Sequence, residues 1–398
     1  MQTLALVFAY LRHNWQRTFF NVLLFALGTA LIALVLNVSQ QMERNFTRNL
    51  AGIDLVVGAK GSPLQLVLSA VLHADVPTGN IALKDAQELE KNPMIKTAIP
   101  VALGDNIQGY RIVGTTPAYA AHYNATLAEG RMFQNTMEAV LGADVAKRLP
   151  FKVGQKFAGS HGLTPGGEVH DFAPYTVTGI LKPTGTVLDR LVLTPVDSVW
   201  YVHENDDDEP VAIRPTAANR EVTALLISYT TPLAVASLPR LINKQTNMQA
   251  ASPAMEATRL RQIMGVGSDA LKAVGAALTI IAGLGLLIAM AEAMRQRLYD
   301  LALMRCFGAS PRKVIKLLVT EAVIISLLGG LIGLAASWLG AAWVSGNLLA
   351  GQLSTGSSLS WQEAGMLLAG VLGLGIISAL LPAVRVYRLP LAHILASQ

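Results

Sequence analysis

The sequence predicts a membrane protein: four transmembrane α-helices with a large α+β extracytoplasmic domain inserted between helices 1 and 2, on a helical stalk. Three observations predict it. Four long apolar stretches stand in a chain of 398 residues: Phe19 to Val38, Ala273 to Ala291, a third beginning at Ala322, and Ala364 to Val384. Each is long enough to cross a hydrocarbon core of about 30 Å at about 1.5 Å per helical residue. Residues 41–271, between the first and second, are of ordinary mixed polarity. Charged residues make up only 14% of the chain, where a soluble protein carries about a quarter, and mean hydropathy is +0.43.

The elements follow in order. Residues 1–18 place Leu4, Val7, Phe8, Leu11 and Trp15 at helical spacing with Arg12 and Gln16 between them. That pattern suits a cytoplasmic interfacial helix, or simply the start of the first span. Transmembrane helix 1 is expected over 19–40. Its uncharged run is too long for a signal peptide core and no small-residue cleavage site follows, so it reads as an uncleaved anchor. The extracytoplasmic domain with its stalk takes 41–271. Strands are expected near Asp54–Val57, Thr97–Leu103, Tyr110–Gly114, Ala139–Leu141, Tyr175–Leu181, Arg190–Thr194 and Thr223–Tyr229. Helices are expected near Lys84–Asn92, Ala143–Leu149, Val196–Val202 and Leu233–Lys244. Turn signals such as Asn92-Pro93 and Lys182-Pro183 separate them. The apolar segment Gly61 to Leu72 suits core packing or contact with a lipid. Residues 204–220 are charged and carry prolines, as an exposed loop does. The remaining elements are transmembrane helix 2 (272–292), a cytoplasmic coupling loop or helix (293–317), transmembrane helix 3 (318–344), a short extracytoplasmic loop (345–362), transmembrane helix 4 (363–384) and a cytoplasmic tail (385–398).

Charge sets the orientation. Residues 41–272 hold 21 of the 31 basic and 22 of the 26 acidic residues, so the basic excess lies in the short flanking segments. Arg12 and Arg17 precede the first stretch, Arg295 to Lys316 lie between the second and third, and Arg385 and Arg388 follow the fourth. The segment 345–362 has no Lys or Arg. The positive-inside rule therefore places both termini and the middle loop in the cytoplasm and the insert outside. This placement also explains a pI near 9.3 without nucleic-acid binding. No span carries a charge at mid-depth, which argues against a proton or ion path. Gly329, Gly330 and Gly333 in the third span, and Gly370 and Gly373 in the fourth, suit close helix packing. Cys306, the single cysteine, lies in the middle loop, so the insert is held by its own core without disulfides.

That middle loop carries the densest local signal. Arg295 to Lys313 has helical spacing, a glycine stop at Gly308, and Ser310-Pro311 as a helix restart. Arg297, Asp300, Arg305, Phe307, Gly308, Ser310 and Arg312 are the expected docking surface for a cytoplasmic partner. The stretch resembles the FtsX/MacB-type permease module, whose pattern R-x-x-[ED]-x-[AG]-[LI]-x-[RK]-x-x-G-A-[ST] matches Arg297, Asp300, Ala302, Leu303, Arg305, Gly308, Ala309 and Ser310. Glu321, Gly329, Gly330 and Gly333 match its next span. Pro382-Ala383-Val384-Arg385 and the segment from Pro390 to Leu395 resemble its closing motif. Ile53 to Gly58, Gly142 to Ala146 and Val177 to Leu181 resemble outer-domain segments.

The resemblance implies a type VII ABC transporter permease of a bacterial inner (plasma) membrane. It implies a homodimer, or a heterodimer with a paralogue, served by a pair of cytoplasmic ABC ATPases. ATP-driven closure then moves the periplasmic domain, with no conduit through the lipid, to export or extract a hydrophobic, peptide or lipid-type substrate. A periplasmic adaptor or substrate protein is an expected partner. The rival readings are a transducer that regulates a periplasmic hydrolase and a peptide sensor for a kinase. The 398 residues contain no G-x-x-x-x-G-K-[ST] phosphate loop. ATP and Mg are therefore expected on a separate ATPase chain, and this chain is expected to hold no cofactor and no catalytic residue. Five of the seven histidines (His73, His122, His161, His170, His203) fall in the insert, with His203-Glu204 leading into Asp206 to Glu209 and His170 beside Asp171. A zinc or calcium site is conceivable there, but no spacing matches a metal-ligand pattern and acidic loops are commonly just solvated, so no metal ligand is assigned.

Overall fold

The computed structural model describes residues 2–163, 166–204, 220–296, 311–344 and 359–385. The helices are α1 (Gln2–His13), α2 (Trp15–Leu50), α3 (Pro63–Ala70), α4 (Leu83–Glu90), α5 (Pro117–His122), α6 (Ala143–Arg148), α7 (Val196–Glu204), α8 (Ala234–Gln245), α9 (Pro253–Gln296), α10 (Pro311–Trp343) and α11 (Trp361–Arg385). The strands are β1 (Leu55–Ala59), β2 (Ile81–Ala82), β3 (Ile95–Ile107), β4 (Tyr110–Thr115), β5 (Leu127–Gly130), β6 (Glu138–Leu141), β7 (Lys156–Phe157), β8 (Ser160–His161), β9 (Tyr175–Leu181), β10 (Val192–Pro195), β11 (Glu221–Val222), β12 (Ala224–Tyr229) and β13 (Met248–Ala251). Two compact units divide the chain between Glu43 and Arg44 and between Gln262 and Ile263.

In the first unit, α2, α9, α10 and α11 are each long and apolar enough to cross a membrane. α2 has 36 residues and α9 has 44. At about 1.5 Å per residue both are far longer than a hydrocarbon core of about 30 Å. Each therefore runs unbroken from an apolar span into the polar sequence of the insert. Phe25, Leu286, Met290, Leu318, Ile325, Val371 and Ala379 meet in one buried core. α1 adds Val7 and Leu11 to it while Phe8 stays exposed, the arrangement of an amphipathic helix. α11 begins with a capping box: Glu363 N donates to Ser360 Oγ at 3.2 Å and Ser360 N donates to Glu363 Oε2 at 2.9 Å. Gln40 Nε2 donates to the same glutamate, tying the first membrane helix to the start of the last.

The second unit is an α+β domain built on a mixed sheet ordered β13-β1-β12-β3-β4-β10-β6-β9-β5. β10 runs parallel to β4 and β6 parallel to β9, and the other pairs along this path are antiparallel. Along β1, Leu55 and Val57 enter one core cluster and Val56 another, and β12 alternates in the same way. Both faces are covered, so these strands are apolar throughout. β3 is the long element. Its first half pairs with β12 through Val101, and its second pairs with β4 from Ala102 to Ile107. α3 begins at Pro63 behind the N-cap Ser62 and buries Leu66, Val67 and Ala70 in the core.

His73 is buried against Tyr119, with Nε2 and Oη 2.9 Å apart. Burial, then the charges of Arg111 and Arg190, push its pKa down to about 3. The folded form stays neutral where the unfolded chain takes up a proton, below its ordinary value near 6.5. Unfolded protein then binds more protons, so the domain loses stability as pH falls from about 6.5 towards 3. Replacing His73 by Gln is expected to make that loss shallower by up to about 1.4 kcal/mol per pH unit. Hydrogen exchange at β1 and β12 of the full chain across that range measures it.

Candidate functional site

The structure places the predicted residues in different surroundings. Arg297, Asp300, Arg305, Phe307, Gly308 and Ser310 lie outside the described residues. Arg312 is exposed in the first turn of α10, which starts at Pro311. Gly329 and Gly333 of the third span touch the first membrane helix. A Cβ on Gly329 would stand 2.5 Å from Phe25 Cβ, and one on Gly333 would stand 2.6 Å from the Ala26 carbonyl oxygen. Gly330 faces Leu368 of α11 at 2.7 Å by the same measure. Gly370 and Gly373 have nothing of the described chain within 4 Å. A Cβ would likewise stand 2.3 Å from Thr279 Oγ1 on Gly28, 2.6 Å from Ile32 Cγ1 on Gly275 and 2.6 Å from Ser326 Oγ on Gly375. Backbones this close gain dispersion contacts that lipid chains do not supply.

A second constellation lies in the inserted domain, at the far half of β3. The β3–β4 register shifts between Leu103 and Asp105, so Gly104 is the extra residue of a bulge. The bulge turns Asp105 into the interior, where it is 1% exposed. Neither carboxylate oxygen accepts a hydrogen bond among the described residues. β8 pairs with β3 so that His161 stands opposite Asp105. The chain then returns alongside β8: His161 N donates to Glu168 O at 2.7 Å and His170 N donates to Gly159 O at 2.9 Å. This return brings His170 beside His161. α7 supplies His203 from its last turn. A Cβ on Gly104 would stand 2.7 Å from His203 Nε2, and one on Gly114 would stand 2.6 Å from Val199 Cγ2. Glycine at both positions lets α7 lie close against the sheet.

Three imidazoles thus surround one carboxylate. His170 Nε2 is 3.4 Å and His203 Nε2 is 3.6 Å from Asp105 Oδ1. The ring centroids of His161, His170 and His203 are 5.4 to 6.0 Å apart, with each pair near perpendicular. His170 is buried, His203 partly so, and His161 exposed. Burial, reinforced by the charge of Asp105, holds the Tyr175 hydroxyl well above the usual tyrosine pKa. Arg220 braces the end of α7, donating from Nε to Glu204 Oε1 at 3.0 Å while its guanidinium lies 4.7 Å from the Trp200 ring centre. The other two histidines of the domain are elsewhere: His73 on Tyr119, and His122 at 2.9 Å from the Ala51 carbonyl. Asp105 was not legible as a site residue, since Gly104-Asp105-Asn106 reads as a turn. The histidines are too far apart in sequence to form a ligand pattern.

Comparison with known proteins agrees with the fold. The MacB-like periplasmic core domain matches residues 18–245 and the FtsX-like permease C-terminal domain matches residues 272–391. The chain belongs to the family of FtsX/MacB-like ABC transporter permeases. It is a multi-pass inner-membrane protein with a periplasmic domain between its first two membrane helices. Among curated relatives, the pyoverdine export ATP-binding/permease protein PvdT of Pseudomonas syringae pv. tomato is 25% identical over 336 residues, covering 81% of this chain and 49% of that one. The macrolide export ATP-binding/permease protein MacB of Bdellovibrio bacteriovorus is 23% identical over 363 residues, covering 82% and 52%. The chain spans about half the length of these relatives. The crystal structure of the periplasmic region of MacB from Actinobacillus actinomycetemcomitans aligns at a TM-score of 0.35 and 10% identity, over 54% of this chain and 95% of that one.

The glycine contacts generate a paired expectation. Gly333→Leu drives a side chain into the backbone of α2 and should cost about 1–3 kcal/mol. Gly370→Leu, where space is open, should cost less than about 0.5 kcal/mol. Thermal melting of the two variants in one detergent separates them.

Proposed function

We propose that this chain is the permease subunit of an ABC transporter of the mechanotransmission type. A separate cytoplasmic ATPase binds ATP and Mg, and its closure moves the periplasmic domain without opening a path through the lipid. The moving domain exports or extracts a hydrophobic, peptide or lipid-type substrate on the outer side. The observation that carries this reading is the continuity of α2 and α9, each passing from an apolar span into the periplasmic domain as one helix. A helix bonded internally along its length is stiff, so displacement at one end reaches the other. The 398 residues hold no phosphate loop, so this reading assigns ATP binding outside them. The names of the relatives, which specify export of pyoverdine and of macrolides, support an exported substrate of that chemical range.

In this reading both termini are cytoplasmic, as the distribution of basic residues indicates. Two copies, or one copy and a paralogue, form the working permease, and a periplasmic adaptor or substrate protein meets the outer domain. The ATPase docks on Arg297, Asp300, Arg305, Phe307, Gly308, Ser310 and Arg312. A basic segment that stops at a glycine and restarts at Ser310-Pro311 offers a shaped surface as well as anchoring charge.

Co-purification with the ATPase tests the docking. Arg305→Glu or Gly308→Trp is expected to abolish the complex and to lower ATP turnover by at least about tenfold, about 1.4 kcal/mol in activation free energy. An intact complex with full turnover in both variants removes the docking surface.

A further inference from the structure

We propose that Asp105, His161 and His203, with His170 as the fourth group, bind one divalent transition-metal ion of the zinc type in the periplasmic domain. This inference goes beyond the permease reading and does not depend on it. It starts from Asp105. A carboxylate that is 1% exposed and accepts no hydrogen bond among the described residues is costly to keep, and a buried charge is retained where a cation or a metal compensates it.

The spacing points to an ion between the groups instead of a direct contact. A charge-assisted Asp–His hydrogen bond closes to about 2.7–2.9 Å. Here the Nε2 atoms of His170 and His203 stand 3.4 and 3.6 Å from Asp105 Oδ1. Two ligand atoms about 2.0 Å from a tetrahedral zinc lie about 3.3 Å apart. The rings tell the same story. Imidazoles bound through one nitrogen to such an ion have centroids about 5.2 Å apart, and the three pairs here are at 5.4, 5.7 and 6.0 Å. One ligand atom from each of Asp105, His161 and His203 lies within 4.8 Å of the others.

The donor set selects the ion. Imidazole nitrogens with a single carboxylate suit zinc, copper or nickel, whereas calcium and magnesium require oxygen ligands. Exposure of His161 leaves one side open to solvent, so the ion exchanges with the periplasm instead of being sealed in. The glycine bulge and the second glycine under α7 belong to the same construction. Gly104 turns the carboxylate inward and also makes room for the His203 ring.

The full chain, purified in detergent and stripped with EDTA, tests the proposal by titration with Zn(II) against a chromophoric chelator and with Co(II) by visible absorption. One ion per chain is expected, with the intense visible bands of tetrahedral cobalt. Asp105→Asn and His161→Ala should each weaken zinc binding by at least about 100-fold, while His122→Ala changes nothing. His161 is exposed, so His161→Ala leaves the domain core intact and decides the matter even where Asp105→Asn fails to fold. No zinc bound above the detergent blank overturns the proposal. So does unchanged affinity in His161→Ala, or a six-coordinate cobalt spectrum.

Discussion

A peptide group in hydrocarbon has no water to bond with, and the apolar half of this chain is arranged around that constraint. The membrane segments satisfy it as helices, each closing its own backbone bonds. Helices that carry no charge at mid-depth have only shape with which to recognise one another. The glycines at Gly329 and Gly333 answer that need by letting α10 lie on the backbone of α2. Hydroxyls inside this unit bond within their own helix, as Thr29 does to the Phe25 carbonyl and Ser326 to that of Ala322, while at its edge Glu363 serves both a cap and a bond between helices.

The periplasmic domain meets the opposite problem. It lies in water and has no disulfide to hold it, so its sheet is buried on both faces. Burying a Val, Leu or Ile side chain contributes roughly 1.5–3 kcal/mol, and β1 and β12 present such side chains to both sides. Against that apolar background the polar exceptions stand out. His73 stays neutral, because burial and two nearby arginines oppose its proton. Asp105 is held inward by the backbone, because a bulge leaves its side chain no route to solvent.

Much of this was legible in the residues. Length and polarity alone mark the four apolar helices, and β-branched runs bounded by turns mark β1, β4, β6, β9 and β12 close to their observed limits. Gly61 to Leu72 was open between core and lipid, and α3 buries its apolar face in the core. What escaped reading has a common cause. A strand was expected near Thr97–Leu103, and the Gly-Asp-Asn that follows is of a composition common in turns. β3 instead continues to Ile107, because β4 and β8 pair with it beyond the bulge. A residue whose direction is set by its neighbours' strand pairing leaves no local trace. The same holds for His161, His170 and His203, which meet only once the sheet and α7 have formed.

The length of β3 has a further consequence. One strand closes the half of the sheet that contains β12 and the half that contains β4, so the hydrogen bonds of both hang on a single uninterrupted backbone. The two halves are therefore not exchangeable parts. A chimera joining one half to another relative's counterpart must either sever this strand or carry it whole.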